Sequence, residues 1–224
     1  MDSIVKGRLA SLQQPSTSLR SRIILSLRRA IETGLLEPGA RLVERGLCEQ
    51  LQVSRTSLRE ALGELQAEGI LTYSATRRLS VSVISQADAE NAYRIRAVME
   101  SLVVEQFIEK ASDEELAALA KESKHLKDAY RSGDVDQMLV AKRTFYDRIC
   151  SGAKNPMAFD IINRLILRTS GLRRRSLMRR QRQLQSIKEI DTLIEAIRRR
   201  DPKSAREAAM QNVAHSASSA LTND

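Results

Sequence analysis

The stretch Val53-Ser54-Arg55-Thr56-Ser57-Leu58-Arg59-Glu60-Ala61-Leu62-Gly63-Glu64-Leu65-Gln66-Ala67-Glu68 reads as one helix with two faces. Leu58, Ala61, Leu62 and Leu65 recur at i, i+3, i+4 and i+7, which makes a single apolar stripe. Arg55 and Arg59 stand four apart and therefore share a side, and Ser54 is a natural N-cap. A helix that buries its back and offers arginines and hydroxyls at its front end suits the major groove of DNA. Arginine can donate two hydrogen bonds to guanine there, while hydroxyls and helix N-termini hold phosphates. Alone, the same pattern also describes a solvated charged face, so its neighbours decide.

Upstream, Ser16-Thr17-Ser18 offers caps for a first helix reaching about Thr33, with Ile23, Ile24, Leu27, Ala30 and Ile31 on its apolar side. Pro38-Gly39 marks a turn, and Arg41-Leu42 a short extended piece. A second helix over Glu44–Leu51 turns Leu47, Cys48 and Leu51 inward, and the tight link 52–54 joins it to the opening helix as a helix-turn-helix. After Gly69 the period changes: 70–73 and 79–83 read as two short strands, with a basic wing at 74–78 between them. This is the winged helix-turn-helix order, in which the second helix enters the major groove and the wing lies on backbone or minor groove.

These stretches resemble the GntR-type bacterial repressors. The run from Ile31 to Leu42 is similar to that family's "I..G.L.PG..L", and Leu47 to Leu62 is similar to its "LA..LGVSRTPVREAL". Two departures stand out: Ser57 replaces the usual proline, and the wing carries Ala75, Thr76, Arg77 and Arg78 instead of a glycine pair. Arg55 and Arg59 are the expected base or adjacent phosphate contacts, with Ser54, Thr56 and Ser57 on phosphates and Arg77 in the wing. The resemblance adds Arg45 as a third arginine contact.

Composition narrows the partners. The chain of 224 residues carries a net charge of +9, which favours polyanions, and 42% hydrophobic residues suffice for a buried core. Tryptophan is absent and aromatics are only 3%, so the stacking platforms of single-strand and RNA binders are missing. No apolar run approaches the roughly 20 residues needed to span a bilayer, and the start lacks the apolar core of a signal peptide. Cys48 and Cys150 have no metal spacing and read as small buried hydrophobes in a reducing cytoplasm. The organisation expected is an N-terminal arm over 1–15, a winged helix-turn-helix over 16–84, and an all-α effector-binding and dimerisation bundle over 85–224.

Capping signals divide the second half into six to seven helices, over about 85–110, 112–132, 134–150, 155–169, 172–182, 184–200 and 201–221. Here the resemblance extends to the helical effector domain of FadR-type GntR regulators. Arg96-Ala97-Val98-Met99-Glu100 is similar to that domain's opening, and three later stretches follow in order: 151–156, 195–201 and 209–215. Members of the group often carry a metal held by Asp and His four apart, a His on the penultimate helix and a His on the last. The matching positions are Lys142, Tyr146, Ile190 and His215. Lysine is cationic, isoleucine has no lone pair, and tyrosine is a poor ligand for zinc, so no metal and no other cofactor is expected. His215 then reads as a hydrogen-bonded pocket or core histidine.

The cation at 142 suggests a replacement chemistry. An ammonium can receive a ligand carboxylate directly, with Tyr146 adding a donor one turn later. Against that stand a lysine that snorkels to solvent and one that pairs with Glu100. Arg96, Lys142, Tyr146 and His215 are the expected ligand-binding residues, and the ligand a small organic acid or similar anion. Arg173, Arg174, Arg175, Arg179, Arg180 and Arg182 crowd ten positions. They read as a solvated face, a second DNA-backbone surface or a site for an acidic ligand, with 173–175 at a pocket mouth.

The expectation is a cytoplasmic, ligand-responsive repressor, homodimeric on double-stranded DNA with a palindromic operator. It has no membrane partner and no catalytic residues. Three alternatives compete: a metal-dependent sensor of the same family, a helical enzyme fused to a DNA-binding module, and an effector-free architectural or membrane-surface binder. The enzyme lacks a nucleophile–base spacing, a phosphate loop and a metal cluster.

Overall fold

The computed structural model describes residues 18–74 and 78–222; the expected arm over 1–15 and Arg77 of the wing lie outside them. Among the described residues the chain forms ten helices and one two-stranded antiparallel sheet. Helix α1 spans Leu19–Glu32, α2 Glu44–Leu51 and α3 Arg55–Ala67. The link between α2 and α3 turns on Gln52, which takes left-handed backbone angles (φ 53°, ψ 46°). Ile23, Ile24, Leu27 and Ile31 of α1 share a core with Leu58, Ala61, Leu62 and Leu65 of α3, so the stripe read from the sequence is the buried face. Two ion pairs bind the same helices along their edges, Arg20 with Glu64 and Arg28 with Glu68.

The hairpin is shorter than its sequence pattern. Strands β1 (Leu71–Tyr73) and β2 (Leu79–Val81) pair with Leu71 opposite Val81 and Tyr73 opposite Leu79. Arg41 adds a single bridge to Ser80, which makes the short extended piece a partial third strand.

Helices α4 (Gln86–Lys110), α5 (Asp113–Ser132), α6 (Val135–Gly152), α7 (Pro156–Arg168), α8 (Ser170–Met178), α9 (Arg180–Arg198) and α10 (Pro202–Leu221) build the second half. Its core joins Val103, Val104 and Phe107 of α4 to Leu126 and Tyr130 of α5 and to Phe145 and Ile149 of α6. Cys150 is buried here, and burial above all, then Glu100 and Asp147, pushes its thiol up to about 12. Cys48 is only partly buried, and both thiols are free.

One boundary departs from the sequence reading. The break between the fifth and sixth bundle helices falls at Arg179, where the backbone is extended (φ −82°, ψ 116°), and not after Arg182. No glycine or proline makes it. Arg179 donates to the carbonyls of Ser219 (2.9 Å) and Thr222 (3.1 Å) at the end of α10, and Gln183 donates to the carbonyl of Leu177 (2.7 Å). Gln183 thus satisfies a carbonyl that the break leaves open, while Arg179 satisfies carbonyls at the end of α10.

The two halves touch through α1, α7 and α8. Leu167 of α7 belongs to the winged-helix core. Arg174 of α8 donates to the carbonyl of Thr33 (2.6 Å) and pairs with Asp136. Gly171 lies so close to Pro38 that a Cβ there would meet its Cγ at 2.7 Å.

Candidate functional site

The exposed face of α3 carries Arg55, Thr56 and Arg59. Arg55 stands at the first helical position and forms no ion pair with a described residue. Arg59 donates through Nε to Glu44 Oε2 (2.8 Å), which sets the start of α2 beside this face. Arg45 follows Glu44 and donates to Glu49 (3.0 Å) from a side chain that is 80% exposed. Exposed pairs of this kind contribute about 0–1 kcal/mol, so a phosphate or a guanine edge can displace either carboxylate at little cost.

The front of the helix is held by Ser54, whose hydroxyl accepts from the backbone N–H of Ser57 (3.2 Å) and lies 3.0 Å from the Ser57 hydroxyl. Proline at position 57, usual in the resembling family, has no N–H and could not make this bond. Ser54→Ala is therefore expected to destabilise the winged helix by about 0.5–2 kcal/mol, read as a lower urea midpoint. An unchanged midpoint would show that the cap contributes nothing.

The second site lies inside the bundle. Tyr93, Arg96, Lys142, Arg173, Ser176, Leu177 and Ser216 line one small cavity. Arg96, 2% exposed, donates from Nε and Nη2 to one oxygen of Glu100 (2.9 and 2.8 Å). Its Nη1 is buried without a partner, as is the Tyr93 hydroxyl. Arg182 makes a two-pronged pair with Glu189 (3.0 and 2.8 Å) and a bond to Ser216 Oγ (2.9 Å). Arg173 reaches Glu32 of α1 at 3.5 Å.

Each buried arginine thus has its own glutamate, and Lys142 is left over. Lys142 is 7% exposed, and its ammonium forms no ion pair with a described residue and stands 5.9 Å from the centroid of the Tyr146 ring. The snorkelling alternative and the Glu100 pair both give way: the side chain is buried, and it forms no ion pair with Glu100, whose Oε1 takes both Arg96 bonds while its Oε2 is buried without a partner. Burial first, then Arg182 and Arg173, with Arg96 adding and Glu100 opposing, brings the Lys142 pKa down to about 7. Burial, reinforced by Glu100, raises that of Tyr146 well above its ordinary value.

Of the ligand-binding residues expected from sequence, Arg96 and Lys142 line the cavity and Tyr146 lies under the ammonium, its hydroxyl donating to Asn212 (3.5 Å). His215 does not line it. Its Nδ1 sits 2.6 Å from Glu189, so it reaches the cavity only through the carboxylate that holds Arg182. The sequence reading missed Tyr93, Glu189 and Ser216, and held Arg182 only as one of an arginine cluster with an acidic-ligand site among its readings. Arg173, Ser176 and Leu177 follow one helical face, a spacing that could have drawn attention to them. The rest of the arginine run divides among other tasks: Arg174 binds Thr33, and Arg179 and Arg180 bind carbonyls of α10 and α5.

The positions that correspond to the metal ligands of the resembling group do not fit a divalent ion. Lys142 brings a charge of the wrong sign, Ile190 is buried in the apolar core, and Glu189 beside it is already held by Arg182, Asn212 and His215. Among the described residues no group of three or more His, Cys, Asp or Glu is placed to hold a metal.

A winged helix with an exposed arginine-bearing recognition helix, joined to a helical bundle, defines a DNA-binding regulator. The chain belongs to the GntR family: the model for bacterial regulatory proteins of the gntR family matches residues 19–81, and that for the FCD domain matches 91–215. It is 29% identical over 151 residues to the HTH-type transcriptional regulator McbR of Escherichia coli, covering 67% of this chain and 68% of that one. The Nta operon transcriptional regulator of Aminobacter aminovorans is 34% identical over 120 residues, with 53% and 56% covered. The solved structure of E. coli McbR/YncC superposes with a TM-score of 0.76 at 26% identity over 88% of this chain and 96% of that one. The chain is a transcriptional regulator and not an enzyme, as these relatives are named. No helix among the described residues is long and apolar enough to cross a membrane.

Proposed function

We propose that the protein is a FadR-type GntR repressor whose operator affinity is set by a small organic anion bound, without a metal, between Lys142 and Arg96. One observation carries the effector reading: Lys142, a buried lysine with no ion pair to a described residue, and Arg96, whose Nη1 has no partner, line the same cavity. A buried donor without a partner costs about 1–3 kcal/mol, and an unpaired charge more. A carboxylate satisfies both groups at once. Tyr93 adds an unpartnered hydroxyl, the Tyr146 ring lies beneath the ammonium, and His215 with Glu189 holds Arg182 in place.

On the DNA side, a homodimer in the cytoplasm presents two recognition helices to a palindromic operator. Residues 16–84 bind DNA, and 85–224 bind the effector and dimerise. Arg45, Arg55, Arg59 and Arg77 contact bases or phosphates, while Ser54, Thr56 and Ser57 contact phosphates. Once an operator has been selected from random duplexes, Arg59→Ala is expected to weaken binding by about 1–3 kcal/mol and relax preference at one base pair. Retained affinity with retained preference would remove Arg59 from the interface.

The effector is tested by a thermal-shift screen of organic acids on the full chain, with zinc and with chelator. Gluconate belongs in the screen because the gluconate operon repressor of Bacillus licheniformis is a 30% identical relative. A shift given by acids in chelator supports the metal-free site. A shift that requires zinc refutes it.

A further inference from the structure

The cavity beside Lys142 has a volume of about 10 Å³, the room of a single water. An organic anion therefore enters only if a lining side chain moves. Arg96 is tied within its own helix to Glu100, and Arg182, behind the cavity, is tied to Glu189 within α9. Arg173 is the lining charge whose carboxylate belongs to the other half of the protein: Glu32, the last residue of α1. Both side chains are buried, at 6% and 11% exposure. Their 3.5 Å separation is long beside the roughly 2.7–2.9 Å of a good charge-assisted bond. Arg173 therefore stands to gain from a closer carboxylate.

What α1 does, the recognition helix follows. The two share the winged-helix core and the pairs Arg20–Glu64 and Arg28–Glu68. Without Arg173, Glu32 keeps only Arg143, at 3.9 Å, and Arg143 is also bound to Asp147. Arg174, the next residue of α8, holds the carbonyl of Thr33, so movement of α8 acts on the same helix end twice.

We infer that Arg173 is an effector ligand that doubles as the latch between the bundle and the winged helix. The anion's carboxylate takes Arg173 from Glu32, and α1 loosens from the bundle with the recognition helix attached. The inference rests on the effector site proposed above and adds how occupancy reaches DNA. Because coupling is reciprocal, weakening Glu32 must strengthen the anion.

The test uses the full chain, with malonate as the probe, below the Lys142 pKa of about 7. Titration calorimetry reads affinity, and hydrogen exchange reads the amides of α1. Glu32→Gln is expected to tighten malonate roughly 5- to 20-fold. It should also speed α1 exchange in the empty protein to the level that the wild type reaches only with malonate. Glu32→Asp, which keeps the charge on a shorter arm, should fall between the two and guards against misfolding of the first variant. If the wild type binds malonate, Lys142→Met weakens it, and neither Glu32 variant alters affinity or exchange, the latch is overturned and the site stands. If the wild type binds none of malonate, succinate and gluconate, the site is overturned and the latch with it.

Discussion

Replacing Lys142 with methionine is expected to make the empty protein more stable and to cost it anion binding. The ammonium is buried with no ion pair among the described residues, near three arginines that have glutamates of their own. Its pKa of about 7, against an ordinary lysine value of 10.5, corresponds to a penalty on the order of 3–5 kcal/mol when the group is charged. Methionine fills much of the same volume with no charge to desolvate. For a chain of this size each kcal/mol raises Tm by roughly 2–4 °C.

The pH dependence follows from which state binds more protons. Below about pH 7 both the folded and the unfolded protein hold the Lys142 proton, and the penalty is present in full. From about pH 7 up to the ordinary lysine range the folded protein sheds the proton while the unfolded chain keeps it, so wild-type stability rises with pH. The advantage of Lys142→Met is thus largest below pH 7 and shrinks above it. Anion affinity runs the other way, since a carboxylate needs the ammonium. Above about pH 7 binding must take up a proton, and affinity falls by up to about tenfold per pH unit. The variant should bind roughly tenfold to a hundredfold more weakly than the wild type below pH 7. A variant that melts at or below the wild-type temperature in acid would show that Lys142 is not an uncompensated buried cation.

Arg96→Met is expected to destabilise the bundle by about 3–5 kcal/mol, because it strands Glu100. That carboxylate is 1% exposed, and one of its oxygens accepts both Arg96 bonds. Removing both charges in Arg96→Met/Glu100→Met should restore most of the loss, since a buried pair contributes far less than the penalty for breaking it. Urea denaturation of the two single variants and the double completes the cycle. A double variant as unstable as Arg96→Met would place the cost in packing and not in the stranded charge. These two residues of one cavity pull stability in opposite directions, as expected where binding rather than stability selects the residues.

Much of the DNA-reading half was legible locally. Leu58, Ala61, Leu62 and Leu65 announce their helix by period, Ser54 announces its start, and both signals hold in the structure. The caps at Ser85, Ser112, Asp134, Asn155 and Asp201 likewise place five bundle helices. Legibility failed at Arg179, where no local breaker ends the helix and the carbonyls of Ser219 and Thr222 draw the side chain away. It failed again at Glu189, which no local pattern singles out and which the fold turns toward Arg182.

Helix period, capping and turn chemistry are properties of neighbouring residues, and so the order of elements, the winged helix and the exposed arginines of α3 were determined by the sequence alone. The state of a buried charge is not such a property. Whether Arg173 is a solvated side chain or a latch depends on Glu32, 141 positions away, and whether Lys142 is paired or isolated depends on which carboxylates the fold brings within reach of it. Only the tertiary structure decides those partners, because Coulomb energy and desolvation are set by what lies within a few ångströms, whatever the distance along the chain.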